Sequence, residues 1–90
     1  MVKDEIAFTI SKHARRRMRQ RGVELEHIQR ALQHPDRNEP DPEDADLVHA
    51  MKRLYRPGGS VCLRVVYNQS AIPWRVVTAF FDQQGGRRTT

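Results

Sequence analysis

The stretch SKHARRRMRQRG, Ser11 to Gly22, carries five arginines and one lysine in twelve residues. Within it His13, Arg17 and Arg21 recur every four residues, which on a helix of about 3.6 residues per turn makes one stripe about 12 Å long. An imidazole and two guanidiniums on a single stripe are the groups phosphate chemistry uses: one moves a proton, the others stabilise phosphoryl oxygens. His13 also falls in the first turn, where backbone N–H groups lack intrahelical partners and favour an anion. Ala14 and Met18 are the only apolar residues this helix offers a core, so the stripe beside them sits at the core's margin. Arg15 and Arg19 point to the opposite, solvated side and act through long-range attraction. The spacing also fits a plainer reading, a basic solvated face with a locally packed histidine.

Further candidates lie around this stripe. Arg16 and Gln20 extend its polar face and join it as nucleic-acid-binding candidates. Arg64 and Arg75 fall on two adjacent strand-like runs, where alternation sets them opposite Leu63/Val65 and Trp74/Val76. Such arginines are either part of a phosphate path or ordinary solvated strand charges. Tyr67, with Tyr55 and Trp74, offers rings on which unpaired bases could stack, although Trp74 opens an apolar strand and is expected in the core. His27, His34 and His49 are spaced by seven and fifteen residues, match no zinc pattern, and the helical phase points the first two away from the core. No metal and no cofactor is expected. Cys62, the only cysteine, excludes an intrachain disulfide and reads as a small packed hydrophobe.

The elements that must position these groups can be read from patterning. IAFTI, Ile6 to Ile10, alternates as a strand and ends at Ser11, a good N-cap for a helix from about Lys12 to Arg21 that Gly22 stops. LEHIQRALQH sets Leu25, Ile28, Ala31 and Leu32 on one face of a second helix, closed by Pro35. Pro35 to Asp46, with three prolines and six acids, is expected to be an irregular solvated loop. DLVHAMKRLYR, SVCLRVVYN and PWRVVTAFF then read as three antiparallel strands separated by PGG and QSAI turns. The first of these also repeats Leu47, Met51 and Leu54 at helical spacing, and strand is preferred. The expectation is an α+β domain of order β-α-α-β-β-β over residues 1–84, with a frayed basic tail at 85–90.

Ninety residues at 38% hydrophobic and 30% charged content suit one globular domain. Net charge is +5 with a pI of about 10.1, supplied by thirteen arginines against three lysines. Residues 36–46 sum to −5, from six acids and Arg37, so the remainder carries +10. Arginine's rigid donor fork suits phosphate or carboxylate, pointing to a polyanionic partner. No long apolar run, leader or lipidation motif is visible, and the cysteine usage suits a reducing compartment, so a cytoplasmic location is expected.

ISKHARRRMRQRGVELEHIQRAL resembles the opening of a family of small bacterial domains of unknown function marked by S-x-H-A-x-x-R-M-x-x-R-G. Ser11, His13, Ala14, Arg17, Met18, Arg21 and Gly22 carry the match, and LRVVY and WRVVTAFF are similar to its closing strands. That family is related to the RelE/ParE-like toxin superfamily, with BrnT-type ribonuclease toxins close by. The resemblance implies two helices packed on a small antiparallel sheet, and a metal-independent endoribonuclease acting as the toxin of a toxin–antitoxin pair. RNA, an antitoxin protein and a second copy of the chain are the partners it implies. His13 would be the catalytic base or acid, and Arg17 and Arg21 the phosphate stabilisers. The closing FFDQQGGRRTT has neither histidine nor tyrosine, so the ribosome-dependent RelE mechanism is not expected. Two other readings stay open: a non-catalytic nucleic-acid-binding module, and a domain that docks an acidic partner protein.

Overall fold

A computed structural model describes residues 6–82. Strand β1 covers Phe8–Ile10 and hands the chain to helix α1, Lys12–Arg21. The handover is tight because Ser11 serves both elements. Its N–H donates to the Val76 carbonyl at 3.0 Å, and its hydroxyl accepts from the Ala14 N–H at 3.0 Å. That second bond satisfies one of the orphan donors at the helix start. Gly22 ends α1 in the left-handed conformation at φ 73°, letting the Val23 N–H reach the Met18 carbonyl at 2.9 Å.

Helix α2, Leu25–Gln33, starts with the Glu24 N–H donating to His27 Nδ1 at 3.1 Å. It buries Ile28, Ala31 and Leu32. Leu25, expected on that face, is instead 56% exposed, because the first turn overhangs the core. His27, expected to point away, is half-buried and meets the Phe81 ring edge-on, with centroids 6.3 Å apart.

The remaining strands are β2 (Arg37–Pro40), β3 (Leu47–Arg56), β4 (Gly59–Asn68) and β5 (Trp74–Asp82). They form one five-stranded mixed sheet of order β1-β5-β4-β3-β2, with β1 parallel to β5 and every other pair antiparallel. The α+β class therefore holds, with one more strand than expected and with a parallel β1–β5 pair where an antiparallel sheet was expected. The correction is β2, which lies inside the stretch expected to be irregular. Its prolines flank the pairing more than they interrupt it. Pro35 precedes the strand, Pro40 is its last residue, and Pro42 follows it. On an edge strand a proline's missing N–H breaks no ladder on the outer side. Asp36 fastens the entry: its N–H donates to the Met51 carbonyl at 2.8 Å and its carboxylate accepts from the Arg53 N–H at 2.7 Å. Residues 41–46 do form a turn, in which Asp41 Oδ2 accepts from the Glu43 and Asp44 N–H groups at 3.0 Å each.

Both helices cover one face of the sheet. Ala14, Ile28, Leu63, Val65 and Val76 meet there, all but out of reach of solvent. A register shift between Val66 and Tyr67 leaves Val77 as an extra residue in β5, so Val76 and Ala79 both point into this core. Residues of opposite phase, among them His49, Met51, Cys62, Arg64 and Val66, line the face away from the helices. Cys62 is buried, and burial pushes its thiol pKa up. Among the described residues no helix is long and apolar enough to cross a membrane. The expected tail at 85–90 lies outside the described residues.

Candidate nucleic-acid interface

Helix α1 is KHARRRMRQR: six cations, one histidine and no acid. Only Ala14 and Met18 are buried; Arg17 is half-buried beside them, and His13, Arg15, Arg16, Arg19 and Gln20 are exposed. Docking through so narrow a stripe leaves the helix's polar circumference open. Among the described residues, no side-chain hydrogen bond or ion pair is made by Lys12, His13, Arg15, Arg16, Arg17 or Arg19. Arg15 and Arg19 flank a shallow cleft floored by Met18 and Val23.

Arg21 behaves differently from the rest of the expected stripe. Its Nη1 donates to the Ala79 carbonyl at 3.0 Å, and its guanidinium lies 5.7 Å from the Phe80 ring centroid. The cause is topological. β1 pairs with β5 only over Trp74–Val76, so further along β5 the edge has no strand beside it, and Arg21 supplies a donor there. Thus His13 and Arg17 have no partner among the described residues, while Arg21 anchors the helix to the sheet.

Arg64 and Arg75 share the sheet face away from the helices, so the sheet separates them from the helix-covered side. Arg64 is fully engaged. Its Nε and Nη2 reach Asp82 Oδ2 at 3.0 Å each, and its Nη1 lies 3.0 Å from His49 Nδ1. His49 Nε2 in turn lies 2.7 Å from Asp41 Oδ1. A guanidinium only donates, so Nδ1 accepts and the ring hydrogen sits on Nε2, donating to Asp41. This chain of Asp41, His49, Arg64 and Asp82 was not foreseen from the sequence. The one available signal was Arg64 alternating outward between Leu63 and Val65, which gives a face but no partner. The His49 hydrogen bond, helped by the Glu43 N–H, holds the Asp41 carboxyl below the usual carboxylate range.

Tyr67 needs the plainest correction. It is 5% exposed, belongs to the core and stacks on Trp74 with centroids 4.5 Å apart, so neither ring face is open to a base. Burial also pushes its hydroxyl pKa up. Trp74, expected in the core, is half-buried against it. Arg75 is exposed, with no ion pair among the described residues.

The electrostatic result is a division of labour. The acids of 36–46 turn to the sheet: Asp36 lies 3.8 Å from Lys52, Glu39 pairs with Arg37, and Asp41 bonds His49. None of them turns to α1, whose charge has no acidic partner among the described residues. This face can hold a chain of phosphates, and His13 offers a titratable nitrogen beside it. Among the described residues no three His, Cys, Asp or Glu side chains converge as a metal site would require.

The family model described as Domain of unknown function (DUF4258) matches residues 10–81, and the chain belongs to that family. No curated protein and no solved structure matches it.

Two outcomes follow from these contacts. Arg21→Ala should lower unfolding stability in urea by about 1 kcal/mol, since it leaves an edge carbonyl without its donor. Arg16→Ala, on the open face, should stay within about 0.5 kcal/mol of the native chain. Asp41 has a depressed carboxyl in the folded state, so its contribution is complete at neutral pH and disappears as pH falls through its folded value. The gap in melting temperature between native chain and Asp41→Asn should therefore be full at neutral pH, begin to shrink below about pH 5 and go on closing as pH falls below the ordinary carboxylate range.

Proposed function

We propose that this DUF4258 domain is an RNA-targeting protein of the toxin class, which holds RNA phosphates on α1 and cuts the chain without a metal. The observation that carries the reading is the state of α1: six cations, no acid, and exposed side chains without partners among the described residues. Guanidiniums left unpaired at neutral pH are a standing attraction for a polyanion, strongest at low salt. The resemblance of Ser11–Gly22 and the closing strands to toxin-related families supplies the toxin class and a RelE/BrnT-like scaffold. A cytoplasmic site of action and an acidic antitoxin that neutralises α1 belong to the same reading.

The chemistry assigns roles to the open groups. His13 takes the proton of a ribose 2′-hydroxyl as the 2′-oxygen bonds to phosphorus. The bond from phosphorus to the 5′-oxygen breaks, and the proton is returned to that oxygen. The products are a 2′,3′-cyclic phosphate and a 5′-hydroxyl end. Arg17, next to His13 on the stripe, stabilises the charge that builds on the phosphoryl oxygens. Arg16 and Gln20 hold the flanking backbone, and Arg21 fixes the helix that carries them.

One observation favours a second reading. His13 has no hydrogen-bonded partner among the described residues to orient its ring, as a dedicated base normally has. That is the arrangement of a module that binds RNA without turning it over.

The test is cleavage of single-stranded RNA in EDTA by the native chain, His13→Ala and Arg17→Ala. The toxin reading expects cyclic-phosphate products from the native chain and a loss of at least about 100-fold in rate for His13→Ala. For the same variant, affinity for uncut RNA should change by less than about threefold. Salt-sensitive binding with no products from the native chain would establish the non-catalytic module instead. Absence of binding at low salt would overturn both.

A further inference from the structure

The chain has six aromatic residues, Phe8, Tyr55, Tyr67, Trp74, Phe80 and Phe81, and all lie among the described residues. Nearly every ring is already in use. Tyr67 and Trp74 stack on each other at 4.5 Å. Phe80 lies under the Arg21 guanidinium at 5.7 Å, and Phe81 under that of Arg56 at 5.1 Å while His27 meets its edge. Phe8 packs against the core. Of the six, only Tyr55 is exposed, at 81%. Tyr55 shares the phase of Met51 and Arg53 in β3 and pairs with Ser60, which places it on the sheet face away from α1.

A base stacked on an aromatic ring strengthens single-strand binding on the order of 5- to 100-fold, and proteins that read unpaired RNA rely on such platforms. Trp74, on the same side of the sheet as α1, is already stacked on Tyr67, and the helix itself carries no phenylalanine, tyrosine or tryptophan, its one ring being the His13 imidazole. What it presents is rigid arginine forks, whose paired donors match phosphate oxygens. We infer that α1 recognises the sugar–phosphate backbone alone, so that the ligand class is RNA of any sequence and base composition. The inference rests on RNA binding by α1 and says what part of the RNA is read. Selection of a cleavage point would then come from where the backbone is free to bend, since no base is gripped.

The experiment compares three labelled 2′-O-methyl oligomers of twelve residues, which lack the nucleophile and cannot be cut: oligo-uridine, oligo-adenosine, and an abasic chain of equal length and charge. Fluorescence anisotropy with the full chain should give dissociation constants within about threefold of one another, with the same steep dependence on salt. Tyr55→Ala should leave all three unchanged. A loss of more than about tenfold for the abasic chain would overturn the inference while leaving RNA binding intact, since it would show that bases are held. Failure of all three to bind at low salt would overturn it together with the RNA reading.

Discussion

Helix α1 is held by two buried side chains, Ala14 and Met18, and the character of the molecule depends on how little that is. A helix with a wide apolar face hides much of its circumference. One that docks through alanine and a single methionine exposes nearly everything else, and here everything else is basic or amide. Repulsion between like charges four residues apart costs a few tenths of a kcal/mol per pair on an isolated helix. The fold offsets this at the two ends. Ser11 caps the start while joining β1 to β5, and Arg21 fastens the finish to the Ala79 carbonyl. The helix backbone is thus fixed at both ends.

The acids complete the picture by being elsewhere. They cluster between Asp36 and Asp46, along β2 and the turn after it, at the edge of the sheet opposite β1. There they pair with Lys52 and Arg37, accept from His49 and brace the turn through backbone N–H groups. On the outer sheet face Arg64 is consumed by Asp82 and His49. Of a net charge of +5, part is thus offset on the sheet by these pairs, while α1 has no acidic partner among the described residues and is a centre of positive potential.

Much of this was legible in the sequence where local chemistry decides the outcome. Ser11 and Gly22 bound α1 because capping is set by side-chain reach and left-handed backbone, and alternation put Arg64 on the outer face. What escaped reading depends on register. β2 was hidden by its prolines, whose positions at the ends of an edge strand matter more than their number. Arg64's partners, His49 and Asp82, come from two separate strands that only pairing brings together. Tyr67 looked like an exposed ring because nothing local reveals that Trp74 lies against it. Arg21 looked equivalent to Arg17 until the short β1 left an edge carbonyl for it to bond.

The most direct measurement is an NMR titration of the labelled chain with a short single-stranded RNA that cannot be cut. Chemical-shift changes should concentrate on the amides of Lys12 to Arg21 and on the Arg15, Arg16, Arg17 and Arg19 side chains, and diminish together as salt is raised. Changes centred on His49, Arg64 and Tyr55, with α1 undisturbed, would contradict the assignment of the interface to the helix.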